Sequence, residues 1–181
     1  MRKNNPQETR ELLLKAAIAI ILERGAHNLT LDHVAKNAQV SKGGLLHHYP
    51  NKESLLLGII NLLTQTFDHN LQKYLEPNQS RGRWTRAYIR TTFSPDPEEQ
   101  QLTQALSSLI ISHPELLDSL PLQDAFLFAE QNILSDGLPA ARATAIRLAC
   151  DGLWFGEISG MIRVKEPLRQ ELLEELLELA T

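Results

Sequence analysis

The stretch LTLDHVAKNAQVSKGGLLHHYPNKESLL, residues 29–56, has the pattern of two short helices joined by a turn. Thr30 precedes one short amphipathic run and Ser41 precedes a second, and a hydroxyl in that place is a helix N-cap signal. Two short helices joined by a turn of about three or four residues form a helix-turn-helix, whose second helix lies in the major groove of DNA. Val34 and Leu45 lie where these helices must pack together. The stretch therefore predicts a DNA-reading unit.

The exposed side of the second predicted helix carries small, basic and imidazole side chains: Ser41, Lys42, Gly43, Gly44, His47 and His48. Glycine inside a helix costs about 1 kcal/mol relative to alanine. The Gly43-Gly44 pair therefore favours a helix whose backbone approaches a phosphate or a base edge, and the alternative is that the pair forms only a loose loop. The two histidines predict no metal site, because adjacent helical residues diverge by about 100° and no cysteine or acidic partner lies nearby in sequence.

The rest of the sequence is also helical in pattern. The first helix begins at Pro6 and ends at Gly25, and a long fourth helix begins at Lys52 and reaches Leu75. A linker follows at residues 76–82. The later breaks predict helices over 82–93, 98–112, 115–134 with an interruption at Pro121, 140–163 and 167–180. Because no strand-length alternation of Val, Ile and Thr occurs, we expect an all-α fold of about nine helices.

Composition and charge limit the classes of protein. The 181 residues are 43% hydrophobic, enough for one or two compact units. The net charge is −4, yet residues 1–55 carry +3 and the remainder −7, which suits a protein that meets phosphate with one end only. The single cysteine, Cys150, cannot form an intrachain disulfide, so we expect the reducing cytoplasm. The N-terminus lacks the apolar run of a signal peptide. The sequence contains no span of about twenty apolar residues, so we expect no membrane helix.

Residues 29–56, together with LLLKAAIAIILERGA at 12–26, resemble the signature of the tetracycline-repressor (TetR) family. The resemblance implies an all-α homodimer whose three N-terminal helices bind a palindromic operator. It also implies a larger C-terminal domain that binds a small ligand, which weakens DNA binding. We therefore expect a helix-turn-helix DNA-binding domain at residues 1–52 and a helical effector-binding and dimerisation domain at 53–181, with no cofactor.

The resemblance also implies which residues meet DNA. Thr30 and Ser41 resemble capping residues whose hydroxyls and backbone amides touch phosphate, and Lys52 matches a lysine that meets the DNA backbone from outside. The full predicted set is Thr30, Ser41, Lys42, Gly43, Gly44, His47, His48 and Lys52.

Three residues depart from the family pattern. Gln39 stands where the turn usually has glycine, and we expect its backbone to need a positive φ. Leu46 stands where a phosphate-binding tyrosine is usual. Tyr49 replaces the usual phenylalanine, and we expect its ring in the core with the hydroxyl at the surface.

The predicted helix over 140–163 has a stripe of small residues along one side. Small side chains let another helix approach closely, so the stripe predicts a crossing with a partner subunit, and packing inside the subunit is the alternative. The last predicted helix has a wide leucine face that needs covering. In the resembled family the last two helices of each subunit form the dimer interface, which predicts interface roles for Ala149, Gly152, Gly156, Gly160, Leu172 and Leu176.

An effector pocket needs an apolar lining with a few polar anchors. The predicted lining is Trp84, Tyr88, His113, Phe126 and Trp154, and plain core packing is the alternative for each aromatic residue. The possible polar anchors are Arg86, Arg90, His113, Arg147 and Glu157.

Two other classes of function compete with a regulator. A helical enzyme would need converging acid, base or nucleophile groups, and the sequence has no glycine-rich phosphate loop, nucleophile elbow or metal-ligand spacing. A helix-turn-helix relic that serves as a protein-interaction module is the other alternative. We therefore expect a ligand-responsive repressor that a small effector releases from its operator, and not an enzyme.

Overall fold

The computed structural model describes residues 5–181, and the regular structure in that range is entirely helical. Two short 3-10 turns cover Ala26–Asn28 and Pro114–Asp118. The nine α helices of the described range are α1 Pro6–Arg24, α2 Leu31–Asn37, α3 Lys42–His48, α4 Lys52–Tyr74, α5 Arg83–Phe93, α6 Pro97–Ser112, α7 Leu120–Ser135, α8 Ala140–Ser159 and α9 Leu168–Leu179. The all-α fold expected from the sequence is confirmed.

Two predicted helix limits are wrong. The predicted interruption at Pro121 falls earlier, at Ser119, and Pro121 occupies the first turn of α7. Proline is tolerated there because the first-turn N–H groups have no partner within the helix. The helix α8 ends at Ser159 and not at residue 163, because Gly160 adopts a φ of 72° and donates its N–H to the Glu157 carbonyl.

The chain divides into two compact units. Unit 1 comprises the residues up to Leu63 together with Gln101–Pro121, and unit 2 comprises Thr64–Gln100 together with Leu122–Thr181. The divisions fall inside α4, α6 and α7. The domain boundary between residues 52 and 53 stays a prediction.

Unit 1 is built around the buried faces of its first helices. Leu13, Ile21 and Leu45 are almost fully buried, and so is the ring of Tyr49 just after α3. Gly58 of α4 lies directly against this ring, since a Cβ at Gly58 would be 2.7 Å from Tyr49 Cε1. The small residue thus lets α4 approach the end of α3 closely.

Unit 2 packs apolar faces of α5, α7, α8 and α9. Asp136 Oδ2 accepts hydrogen bonds from the backbone N–H and the hydroxyl of Thr85, both at 2.8 Å, and so caps α5. Gly82, directly before α5, has a φ of 73°, and a Cβ there would lie 2.0 Å from the Ala180 carbonyl oxygen. Only glycine fits that backbone. The larger core side chains are Leu71, Trp84, Tyr88, Ile89, Phe93, Ile133, Ile146, Leu153 and Leu176.

The segment 76–82 is non-helical, as predicted, and Arg86 of α5 fixes it through an ion pair and hydrogen bonds. Arg86 Nη2 lies 2.8 Å from Glu76 Oε2, and Arg86 Nη1 donates to the carbonyls of Arg81 and Ala180, both at 2.8 Å. The hydrogen bond from Arg86 is the main reason that the pKa of Glu76 falls to about 2. This segment is therefore tied to the C-terminal end of α9.

Candidate DNA-binding surface

A tight turn after α2 sets the direction of α3. The Gln39 N–H donates to the Lys36 carbonyl at 3.2 Å, and the Val40 N–H donates to the Ala35 carbonyl at 2.9 Å. These two bonds define a Schellman motif, whose central residue must be left-handed. Gln39 has a φ of 55°, so the positive φ expected from the sequence is confirmed. A residue with a Cβ is strained in this region by about 1–2 kcal/mol.

Hydroxyl caps begin both helices of the motif. Thr30 Oγ1 accepts a hydrogen bond from the His33 N–H at 3.2 Å, and Ser41 Oγ accepts one from the Gly44 N–H at 3.1 Å. Each bond satisfies a donor that the helix itself leaves free. Both cap assignments made from the sequence are confirmed.

The two glycines of α3 are helical, so the loose-loop alternative is wrong. A Cβ at Gly44 would lie 3.0 Å from Val40 Cγ1 and 3.2 Å from Ser41 Oγ, which gives this glycine a packing reason within unit 1. A Cβ at Gly43 would meet no atom of the described residues within 4 Å. Only Gly43 therefore leaves backbone open to the approach of another molecule.

Lys42 stands on the exposed face of α3 and already has a partner. Its Nζ lies 2.9 Å from Asp32 Oδ1 in the first turn of α2, and the two side chains are 63% and 69% exposed. Sequence reasoning placed Lys42 on the candidate surface but did not identify Asp32. The pairing joins two helices, and the periodic pattern within either helix carries no sign of it.

Arg10 of α1 contributes a second cation that the sequence analysis did not find. Its Nε donates to the Tyr49 hydroxyl at 3.1 Å, and its guanidinium carbon lies 5.6 Å from the centre of the Tyr49 ring. The buried ring confirms the expectation for this tyrosine, but the hydroxyl expected at the surface is covered, since Tyr49 is 2% exposed. Partial burial, helped by the nearby His47 and Arg10, lowers the pKa of His48. His48 is therefore neutral at pH 7.

The start of α4 is fixed by a reciprocal cap. The Ser54 N–H donates to Asn51 Oδ1 at 2.7 Å, and the Asn51 N–H donates to Ser54 Oγ at 3.2 Å. Lys52, the first residue of α4, is half-buried. All eight predicted DNA contacts thus lie in unit 1, between the cap of α2 and the start of α4, and their contact with DNA stays a prediction.

Four of the five predicted pocket residues lie in unit 2, whereas His113 lies in unit 1. Trp84 stacks on Tyr88 with ring centres 5.5 Å apart, and both are buried in the core. Phe126 and Trp154 meet edge to face at 5.9 Å and are half-buried.

A polar network connects these two aromatic pairs. The Tyr88 hydroxyl donates to Asp151 Oδ1 at 2.5 Å, and Arg147 Nε donates to Asp151 Oδ2 at 3.2 Å. Arg147 also donates to the Phe126 carbonyl at 3.1 Å and pairs with Glu130 at 3.2 Å. Burial, and then Asp151, raise the pKa of Tyr88 well above its ordinary value, so the phenol remains a donor. Asp151 was missed because its role depends on a partner from α5.

The residues predicted for the dimer interface occupy different surroundings. Gly152 is exposed, and a Cβ there would meet no atom of the described residues within 4 Å. Leu148 and Phe155, which flank it on α8, are 66% and 43% exposed. Ala149 and Leu172 are half-buried against the core of unit 2. An exposed apolar strip therefore runs along α8 through Leu148, Gly152 and Phe155.

Two members of that predicted set, Gly156 and Leu176, lie inside the subunit, whereas the interface role of the exposed Gly160 stays a prediction. Gly156 is buried, and a Cβ there would lie 2.6 Å from Ile162 Cβ of the same chain. Its small size thus serves packing inside the subunit, which was the alternative interpretation. Leu176 is 4% exposed in the core, and Gly160 lies beyond α8 as its left-handed C-cap.

Within residues 5–181, no helix is long and apolar enough to span a membrane. The same described range contains no group of three His, Cys, Asp or Glu side chains that could hold a metal ion.

Two family models match the chain. Residues 13–59 match the bacterial regulatory proteins of the tetR family, and residues 82–181 match the tetracyclin repressor-like C-terminal domain. The first region overlaps the helix-turn-helix, and the second covers most of unit 2.

Similar proteins carry regulator names. The HTH-type transcriptional regulator TtgR of Pseudomonas putida is 34% identical over 67 residues, which are 37% of this chain and 32% of that protein. The HTH-type transcriptional regulator UidR of Escherichia coli K12 is 35% identical over 71 residues, which are 39% of this chain and 35% of that protein. The matches thus span about a third of these relatives. A solved transcriptional regulator from Rhodococcus sp. Rha1 shares the fold, with a TM-score of 0.70, 19% identity, and coverage of 94% of this chain and 95% of that chain.

Proposed function

Because the chain belongs to the TetR family of bacterial transcriptional regulators, we propose that it is a repressor that binds a palindromic DNA operator as a homodimer and is released by a small effector. The observation that carries the proposal is the turn at Gln39, which directs α3. This helix is capped by Ser41, and it carries the exposed Lys42 and, at Gly43, a backbone with no atom of the described residues over it. We place the protein in the cytoplasm, where its DNA partner lies, and assign residues 1–52 to DNA binding and 53–181 to effector binding and dimerisation.

We assign the DNA contacts to two kinds of group. Lys52 neutralises a phosphate, a contribution that depends on salt but not on sequence, and Lys42 at the start of α3 meets a phosphate or a base edge. Gly43 lets the α3 backbone approach the duplex, and His47 reaches base edges in the major groove, where each base pair presents a distinct pattern of donors and acceptors. Thr30 and Ser41 complete the proposed surface as the caps of α2 and α3, together with Gly44 in the first turn of α3 and His48 at its end.

We propose that the homodimer forms through the exposed strip of α8 at Leu148, Gly152 and Phe155. An exposed apolar strip of this kind needs covering, and the open backbone at Gly152 allows a second helix to pack closely. Leu172 of α9 and Ala149 are half-buried beside the core and widen the same proposed interface. One reading helix per subunit then addresses two half-sites related by a two-fold axis.

We propose that the effector binds in unit 2 beside Phe126 and Trp154, whose half-buried rings supply an apolar wall. Arg147 and Asp151 supply polar anchors there, and the protonated Tyr88 holds Asp151 in place. A ligand site usually has an apolar lining with a small number of polar groups. A ligand that replaced the Arg147 contact with the Phe126 carbonyl would shift α7 relative to α8.

A selection from random duplexes tests the repressor proposal. Purified protein should enrich a palindromic sequence, and its affinity for that sequence should fall steeply with salt, as expected when several phosphates are neutralised. The absence of any enriched sequence, together with salt-independent binding, would contradict a DNA-binding role and favour a protein-interaction module.

Leucine substitutions test the proposed dimer interface. Gly152→Leu enters open space on the subunit surface, so the variant should fold but sediment as a monomer. Ala19→Leu, at an exposed position of α1, is the matched control and should remain dimeric. A Gly152→Leu variant that stays dimeric at low micromolar concentration would remove the α8 strip from the interface.

A further inference from the structure

We infer that Asp32 is a specificity-determining residue. Its carboxylate holds Lys42 in the free protein, and it weakens binding to non-specific DNA more than binding to the operator. The inference rests on the proposed DNA-binding function and deepens it. It starts from the 2.9 Å contact between Lys42 Nζ and Asp32 Oδ1, the ion pair that joins α2 to α3.

The positions of the two charges explain why the pair forms. Asp32 lies in the first turn of α2, where the positive end of the helix dipole favours a carboxylate. Lys42 is the first residue of α3, where the same dipole disfavours a cation. Asp32 compensates this unfavourable placement, and it holds an ammonium group on the exposed side of the recognition helix.

The same placement makes the approach of a DNA phosphate to Lys42 less favourable. A duplex that approaches Lys42 must also approach the Asp32 carboxylate, because the two groups are in contact and charges act over a screening length of about 8 Å. A non-specific complex depends mainly on phosphate contacts. The repulsion between the Asp32 carboxylate and the phosphates therefore weakens it without compensation. Lys42 therefore contributes less to non-specific binding than a free lysine would.

An operator complex can keep the pair. An ammonium group has three donors, so Lys42 can donate to a base edge or phosphate while one donor remains on Asp32. The carboxylate then orients Lys42, and the orientation favours the operator. Asp32 therefore lowers affinity for all duplexes while it increases the ratio of operator to non-specific affinity.

The test compares Asp32→Asn with the wild type on two duplexes of equal length, the selected operator and a scrambled sequence, over a series of salt concentrations. Non-specific affinity should rise by a factor of about 1.5 to 5, the range expected for an exposed ion pair. The salt slope for the scrambled duplex should steepen by about one unit, since Lys42 then acts as a free cation. Operator affinity should rise less, so the specificity ratio should fall.

Glu23→Gln is the matched control for net charge. Glu23 is an exposed residue of α1 that pairs with Arg24 at 3.5 Å and does not contact Lys42. This variant changes the net charge by the same amount as Asp32→Asn, and it should leave the specificity ratio unchanged. An equal fall of the ratio in both variants would overturn the inference.

A double variant shows whether Asp32 acts through Lys42. In a Lys42→Met background, Asp32→Asn should no longer change the specificity ratio; a full effect there would overturn the inference. If the wild type binds the operator selectively and Asp32→Asn leaves the ratio unchanged, only the role of Asp32 fails. If the wild type shows no salt-dependent binding to either duplex, the proposed function and the inference fail together.

Discussion

Replacing Gln39 by glycine should stabilise the helix-turn-helix. Gln39 has a φ of 55° within the Schellman motif, and a residue with a Cβ is strained in that region by about 1–2 kcal/mol. Glycine removes this strain, but it loses more chain entropy on folding, which costs about 0.5–1 kcal/mol. The Gln39 side chain is exposed, so its removal sacrifices little packing. The free energy of opening the turn should therefore increase by about 0.5–1 kcal/mol.

Native-state hydrogen exchange at the Val40 amide measures this change where it occurs. That N–H donates to the Ala35 carbonyl across the turn, so its exchange rate follows the opening of the motif. Tryptophan fluorescence would not serve, because Trp84 and Trp154 both lie in unit 2.

Gln39→Ala is the control for that measurement. It removes the same side chain but keeps the Cβ, so the strain remains and Val40 exchange should not slow. If alanine protected Val40 as much as glycine does, or if glycine accelerated exchange, the strain argument would be refuted.

Three further predictions concern other parts of the chain. Lys52→Ala should weaken binding about equally on operator and unrelated duplexes and reduce the salt slope by about one unit, measured by fluorescence anisotropy; an unchanged slope would place Lys52 away from DNA. Gly156→Leu should lower the urea midpoint of unit 2 because its side chain meets Ile162, and overpacking costs about 1–3 kcal/mol; a midpoint equal to that of the wild type would contradict the packing described. Glu76 has a folded pKa of about 2 against an ordinary 4.5, so its stabilising effect is present above pH 4.5 and is lost as the pH falls towards 2. Glu76→Gln should reduce the acid sensitivity of unit 2 over that window, followed by tryptophan fluorescence, and an unaltered acid profile would contradict the role of its pairing with Arg86.

Local signals in the sequence predicted the architecture of the helix-turn-helix. A hydroxyl before an amphipathic run identified Thr30 and Ser41, because a cap depends on residues within one turn of the chain. The positive φ at Gln39 followed from the family resemblance, which places a glycine at that position of the turn. These features require no knowledge of distant residues, and each reappears in the structure.

Features that depend on how helices pack were not predictable in this way. The Asp32–Lys42 pair joins different helices, and the Tyr88–Asp151 bond joins α5 to α8. The small stripe on α8 was interpreted as one face, although Gly152 is exposed whereas Gly156 is buried. The rotation of α8 against its neighbours decides which small residue faces outward.

Burial of Gly156 has a second cause that the sequence pattern does not contain. The chain turns back after Gly160, and Ile162 then covers Gly156, with the Ile162 N–H donating to the Gly156 carbonyl at 3.1 Å. A helical projection assumes that the helix continues to residue 163, so it could not anticipate this return.

Hydroxyl-radical footprinting of the selected operator, with wild-type protein and with the Lys42→Met variant, shows whether α3 reads a palindromic operator from a dimer. We expect two protected half-sites, related by a two-fold axis and about 34 Å apart, the spacing of paired recognition helices. Lys42→Met should weaken protection of both half-sites equally. A single asymmetric footprint from a monomer, or protection that Lys42→Met leaves unchanged, would contradict the claim that α3 reads a palindromic operator from a dimer.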